Sequence, residues 1–170
     1  MPSFPRAAFA DVIDANAKYA ADFDGADLPG RAGQGLAVLT CMDSRIDPLA
    51  ILGLQTGDAK ILRNAGAQVT DEILQTLVLA SHLLNVDRVL VMPHTRCKMA
   101  SATEAEIHAI IAEESNHDIR SIAIPTIANQ REALGRDVIR IRTQPFLPES
   151  LTVAGCIFDV DSGRIELYDL

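Results

Sequence analysis

Cys41, Asp43 and Arg45 stand on alternate residues directly after Gly35–Thr40, a short, apolar, partly β-branched run with the composition of a buried strand. His94 and Cys97 stand three apart directly after a second such run, Asp87–Met92. Two thiols and one imidazole make a Cys2His set. Zinc accepts both donor types, with bonds of ~2.3 Å to sulfur and ~2.0 Å to nitrogen. Three protein ligands leave a fourth tetrahedral position for water or substrate, which distinguishes a catalytic site from a closed structural one. Asp43 is then placed to accept a hydrogen bond from a water at that position. Arg45 can hold the carboxylate through a bidentate, charge-assisted pair, keeping it ionised and steering it away from the metal. Either motif alone says little, since a cysteine after a strand is most often core. The two together, each following an apolar strand, point to metal binding.

The elements around these residues follow from periodicity and caps. Residues 5–23 read as a helix with Phe9, Val12, Ile13 and Ala20 among polar neighbours. Residues 24–35, rich in glycine with one proline, read as a loop. Asp47-Pro48 opens a short helix, with Asp as N-cap and Pro at the first helical position. Residues 59–62 form a second strand ending in Arg63-Asn64-Ala65-Gly66. Thr70 caps a helix that runs to about Leu84 and is apolar nearly all round, so it is expected to be deeply buried or to face a partner subunit. Residues 103–115 and 127–142 are further helices, and residues 119–124 are expected as a fourth strand. The tail from Leu151 reads as a hairpin with Asp161-Ser162-Gly163 in its turn. This alternation predicts an α/β fold: a central, mostly parallel sheet flanked by helices, closed by a C-terminal antiparallel hairpin. Residues 1–170 are expected to form a single domain, with 1–30 as an N-terminal helical arm and loop. In such sheets ligands sit beyond the carboxyl ends of the strands, where both motifs fall.

Composition bounds the function class. Of 170 residues, 48% are hydrophobic, enough for one domain with a real core. The net charge of −8, with dispersed basic residues, argues against nucleic-acid and anionic-membrane partners, which need a basic face. Residues 1–6 lack the apolar core of a secretory leader, and no run reaches the length of a membrane span. The protein is therefore expected to be cytoplasmic. Its three cysteines cannot all pair within one chain, so each needs a role in packing, catalysis or metal binding.

The residues C-x-D-x-R at Cys41–Arg45 and H-x-x-C at His94–Cys97 together resemble the signature of the β-class carbonic anhydrases. The intervening "ILRNAGAQVTDEILQTLVLASHLLNVDRVLVM" and the closing "RIRTQPFLPESLTVAGCIFDVDSGRIELYDL" are also similar to that family. The resemblance covers about residue 30 to the end. It implies Zn2+ held by Cys41, His94 and Cys97, with Asp43 and Arg45 as the catalytic pair. It implies reversible hydration of CO2 to bicarbonate through zinc-bound hydroxide, and a homodimer or higher homo-oligomer in which the N-terminal helix packs on the neighbour. The chain departs from the pattern at Lys98, where the family commonly has glycine. That residue either points to solvent or narrows the pocket. Related readings are a hydrolase acting on CS2 or COS, and a catalytically weak zinc-binding relative. A nucleotide-binding module is disfavoured because no G-x-G-x-x-G follows a strand.

Cys156 is expected in the core. His82, His108 and His117 are read as ordinary histidines without a proton-shuttling role. Arg63 and Asn64 are expected to make local hydrogen bonds, and Arg140 and Arg142 to form a solvated helix end. Asp11, Asp14, Glu104 and Glu106 are expected on exposed helix faces.

Overall fold

The computed structural model describes residues 4–170; Met1–Ser3, the start of the segment read as leader-free, lie outside the described residues. The chain runs α1 (Ala10–Ala21), β1 (Leu36–Cys41), α2 (Pro48–Leu52), β2 (Ala59–Asn64), α3 (Asp71–Leu83), β3 (Arg88–Met92), α4 (Glu104–Ser115), α5 (Gln130–Arg142), β4 (Thr152–Phe158) and β5 (Ile165–Tyr168). The strands form one sheet in the order β2-β1-β3-β4-β5. The first three pairings are parallel and β4–β5 is antiparallel, as the sequence predicts.

β1 is an interior strand, flanked by β2 and β3, and Ala37 to Cys41 are all buried, which explains its unbroken apolar run. Its residues alternate between two cores. Ala37 and Leu39 join Val89, Val91, Leu77, Leu134, Val138 and Ile141, so α3 and α5 cover one side of the sheet. Val38 joins Met92, Cys97, Cys156 and Phe158, with Ile51 and Leu52 of α2 packed against them.

The caps behave as the residue types require. Asp47 accepts from the N–H groups of Leu49 and Ala50 and sets Pro48 at the start of α2. Thr70 caps α3, Asn129 caps α5, and Thr103 with Glu106 forms a reciprocal capping box on α4. The hairpin turn holds Gly163 at φ 72, a left-handed conformation that favours glycine.

Three expectations are corrected. Residues 119–124 form no strand: the sheet order pairs β3 directly with β4, leaving this segment no neighbour. It stays irregular, with Ile122 59% exposed, and is tied down by Glu104 and His108 of α4. The N-terminal helix begins with a 3-10 turn, Arg6–Phe9, and becomes α-helical only from Ala10 to Ala21. Arg140 and Arg142 are not simply solvated. Arg140 donates to the Val69 carbonyl and pairs with Asp71, while Arg142 donates to the carbonyls of Leu170 (2.6 Å) and Val153 (2.7 Å).

Candidate metal centre

β1 ends in Cys41, and β3 ends one residue before Pro93-His94. Because β1 and β3 are paired neighbours in parallel register, Thr40 opposite Met92, both motifs emerge at the same edge. The buried Thr40 hydroxyl donates to the Met92 carbonyl at 2.8 Å and ties the two strand ends together. His94 is bridged to Phe158 of β4, and Gln130 of α5 donates to the His94 carbonyl at 2.7 Å. Arg96, at φ 56, makes the left-handed turn between His94 and Cys97. Ligand-type atoms of Cys41, His94 and Cys97 consequently lie within 4.8 Å of one another, and all three residues are buried.

The donor chemistry fits a metal ion. The His94 Nδ1–H group is positioned to donate to the Thr95 carbonyl at 2.8 Å, which leaves Nε2 with its lone pair. Nε2 is buried and has no hydrogen-bond partner among the described residues. Such an atom is costly unless something else binds it. The two sulfurs stand 4.0 Å apart, as free thiols. Two thiolates sharing one tetrahedral zinc would stand ~3.8 Å apart, so little movement is needed. The Gly66 N–H, in a turn at φ 85, donates to the Cys41 sulfur at 3.3 Å. Burial raises the Cys97 thiol above its ordinary value, assisted by Cys41, against the lowering influence of the Met99 and Ala100 amides. Burial lowers His94, favouring the neutral imidazole that metal binding needs.

Asp43 lies beside this trio, with Oδ2 3.7 Å from His94 Nε2. Arg45 grips it from the other side: Nε donates to Oδ1 at 2.9 Å, Nη2 to Oδ2 at 2.8 Å, and the Arg45 backbone N–H to Oδ1 at 3.0 Å. The Arg45 side chain, then its backbone N–H, hold the Asp43 carboxyl well below the usual carboxylate range. The pair is thus formed as the spacing predicts, and Asp43 faces the trio as an ionised acceptor.

Sequence reasoning missed several supports. Arg63 does not bond locally as expected: its acceptors are the carbonyls of Cys41 and Asp43, 22 and 20 residues earlier in the chain. Asn64 does bond locally, as expected, though its partner was not foreseen: with Gln68 it ties the glycine turn through reciprocal bonds of 2.7 and 2.9 Å. Thr95 donates to Asp159 of the hairpin turn. None of these has a local periodic signal; the R-N-A-G run was the only hint.

Lys98 is exposed, and its backbone is not left-handed, so the missing glycine forces no strain there. Cys156 is fully buried in β4, as expected, with its thiol pushed up to about 11 by burial. His82, His108 and His117 each bond a backbone carbonyl away from the trio.

The fold and the site define an α/β protein with a buried Cys2His centre at the carboxyl ends of parallel strands, flanked by an ionised carboxylate. The family model described as carbonic anhydrase matches residues 36–165. β-Carbonic anhydrase 1 of Mycobacterium tuberculosis is 31% identical over 156 residues, covering 91% of this chain and 94% of that protein. The crystal structure of a carbonic anhydrase from Streptococcus mutans superposes with a TM-score of 0.88 at 32% identity, covering 99% of this chain and 100% of that one. A carbon disulfide hydrolase of Acidithiobacillus thiooxidans is 27% identical over 152 residues, covering 76% of this chain and 75% of that protein. The chain belongs to the β-carbonic anhydrase family, a family of lyases.

Proposed function

We propose that the protein catalyses the reversible hydration of CO2 to bicarbonate and a proton at a zinc ion held by Cys41, His94 and Cys97. The observation that carries this reading is the buried, unpartnered His94 Nε2 facing two thiols in a chain of this family. A bound zinc would supply Lewis acidity and make water nucleophilic near neutral pH.

The remaining work falls to the chain. Cys41 and Cys97 offer thiolates, and the Thr95 carbonyl fixes the His94 tautomer so that Nε2 is the donor. Asp43 orients the attacking water by accepting its hydrogen bond, leaving the lone pair toward the carbon. Arg45 keeps Asp43 ionised and turned away from the ligand atoms. Proton release, bicarbonate departure and water entry take place on the side of the trio where Asp43 and Arg45 reach solvent.

The site in its setting reads as that of a cytoplasmic homodimer or higher homo-oligomer. Free thiols suit a reducing compartment, and among the described residues no helix is long and apolar enough to cross a membrane. The relatives named as carbon disulfide hydrolases support a second reading, hydrolysis of CS2 or COS at the same centre, with lower identity and coverage.

Metal analysis of the purified protein is expected to give near-stoichiometric zinc, and Cys97→Ser should lose most of it. Stopped-flow assays on zinc-loaded protein should show CO2 hydration well above buffer. Turnover of CS2 or COS without CO2 hydration would move the assignment to the second reading. Full zinc in Cys97→Ser would overturn the ligand set.

A further inference from the structure

The turn of the β4–β5 hairpin, residues 159–163, lies against the loop that carries His94 and Cys97. β4 ends at Phe158, whose N–H donates to the Pro93 carbonyl and whose carbonyl accepts from the Thr95 N–H, each at 2.9 Å. The Thr95 hydroxyl is used twice. It donates to Asp159 Oδ1 at 3.1 Å and accepts from the Val160 N–H at 3.1 Å. Asp159 is in turn fixed by the Ser162 hydroxyl on Oδ2 (2.6 Å) and the Asp161 N–H on Oδ1 (3.0 Å). These bonds, that from Ser162 foremost, hold its carboxyl below the ordinary value. One residue beyond Thr95, Arg96 pairs with Asp161 of the same turn.

These contacts bracket the peptide group on which His94 depends. The Thr95 carbonyl, which accepts from His94 Nδ1–H at 2.8 Å, belongs to the peptide between Thr95 and Arg96. Arg96 is left-handed at φ 56 without being glycine, a conformation that persists only where its surroundings hold it. Relaxation of that turn would rotate the Thr95 carbonyl away from the imidazole. Two ties resist this, and they are unequal. Arg96 and Asp161 are 64% and 61% exposed, so their ion pair is screened and weak. The Thr95 hydroxyl is part-buried, with an ionised acceptor on one side and a main-chain donor on the other. Gln130 of α5 holds the preceding carbonyl, that of His94, which leaves the 95–96 peptide to the hairpin.

We propose that Asp159 is a positioning residue for the metal ligand His94: through the Thr95 hydroxyl it fixes the Thr95 carbonyl, and that carbonyl fixes the ring and its Nδ1–H tautomer. Asp159 lies 64 residues beyond Thr95 in the chain and touches neither the metal position nor a reacting atom. The hairpin that closes the sheet is thereby part of the metal centre. The proposal rests on the zinc reading above.

Zinc affinity and the NMR signal of His94 Nδ1–H test this independently of turnover. In the zinc-loaded full-length protein carrying 15N-labelled histidine, the wild-type Nδ1–H proton of His94 should exchange slowly with water. Thr95→Val keeps the shape but removes both hydroxyl bonds. It should bind zinc about tenfold more weakly in chelator competition, the scale of a lost support to a metal-bound histidine, and its Nδ1–H should exchange faster. Thr95→Ser, which retains the hydroxyl, should match wild type in both measurements. Asp159→Asn, which keeps the shape but weakens the acceptor, should fall between Thr95→Val and wild type. Asp161→Ala removes the exposed ion pair from the same turn and should leave zinc affinity within about twofold of wild type. Wild-type affinity or unchanged exchange in Thr95→Val overturns the proposal. So does a Thr95→Ser protein as weak as Thr95→Val, or an equal loss in Asp161→Ala, which would mean that general loosening of the turn is responsible. Should Thr95→Val not fold, Asp159→Asn against Asp161→Ala carries the same comparison. A wild-type protein that takes up no zinc overturns the ligand assignment and this proposal with it.

Discussion

Asp43 is held by three hydrogen bonds from one residue, Arg45, and those bonds, the side-chain pair foremost, keep it ionised. Since its carboxyl lies well below the usual range, protonation of Asp43 does not set the acid limb of activity near neutral pH. Asp43→Asn preserves shape but replaces the acceptor oxygen facing the trio. It should retain zinc while kcat/KM falls about 100-fold or more, the scale of a lost orienting or proton-handling group. Wild-type rates from that variant, with zinc confirmed by metal analysis, would rule out the pair. Lys98 offers the contrasting case. Its exposure places the ammonium where solvent screens it. Lys98→Gly should therefore leave kcat/KM and its pH profile within about twofold of wild type. A shift of about one pH unit would show that the ammonium reaches the site after all.

β4 supplies a test at the level of one element. Its Cys156 is fully buried, and its thiol is pushed up from 9.0 to about 11. A folded-state value above the unfolded one means the neutral thiol's contribution is complete below pH 9 and is lost as pH rises through about 11. Two pH units correspond to ~2.7 kcal/mol at most. Urea unfolding of wild type and Cys156→Ala at pH 8, 9.5 and 11 should show the wild-type advantage shrinking across that window. A constant difference would mean that the thiol ionises equally in both states. Residues 119–124 teach the opposite lesson about elements. Their apolar, β-branched composition resembles a strand, but strand propensity needs a neighbour to pair with. The pairing of β3 with β4 removes that neighbour, and α4 side chains take up the backbone groups instead.

At the scale of the molecule, apolar surface is left over. α1 buries no residue in this chain, and Val12 is 58% and Tyr19 61% exposed. On α3, Ile73, Leu74, Leu77 and Ala80 point into the core while Leu83 is 61% exposed. An amphipathic arm with nothing to cover it is poorly explained by a monomer. Light scattering at micromolar concentration should give at least twice the 18.3 kDa chain mass, and removal of residues 1–23 should lower it. A stable wild-type monomer would contradict the oligomeric reading. The net charge of −8 argues against nucleic acid as the occupant of this surface.

The sequence by itself determined the features that depend on spacing. The H-x-x-C interval, the alternate placement of Cys41, Asp43 and Arg45, the apolar run of β1 and the caps of α2 and α3 are set by neighbours in the chain. Each recurs in the structure where those short intervals put it. Tertiary structure alone decided which long side chains meet which distant carbonyls. Arg63 reaches the Cys41 and Asp43 carbonyls because β2 lies beside β1, and Arg140 reaches Val69 because α5 crosses the loop before α3. Arginine's reach and five donors suit many acceptors, so its type carries no address. The order of the strands supplies that address, and it emerges only when the whole sheet has paired.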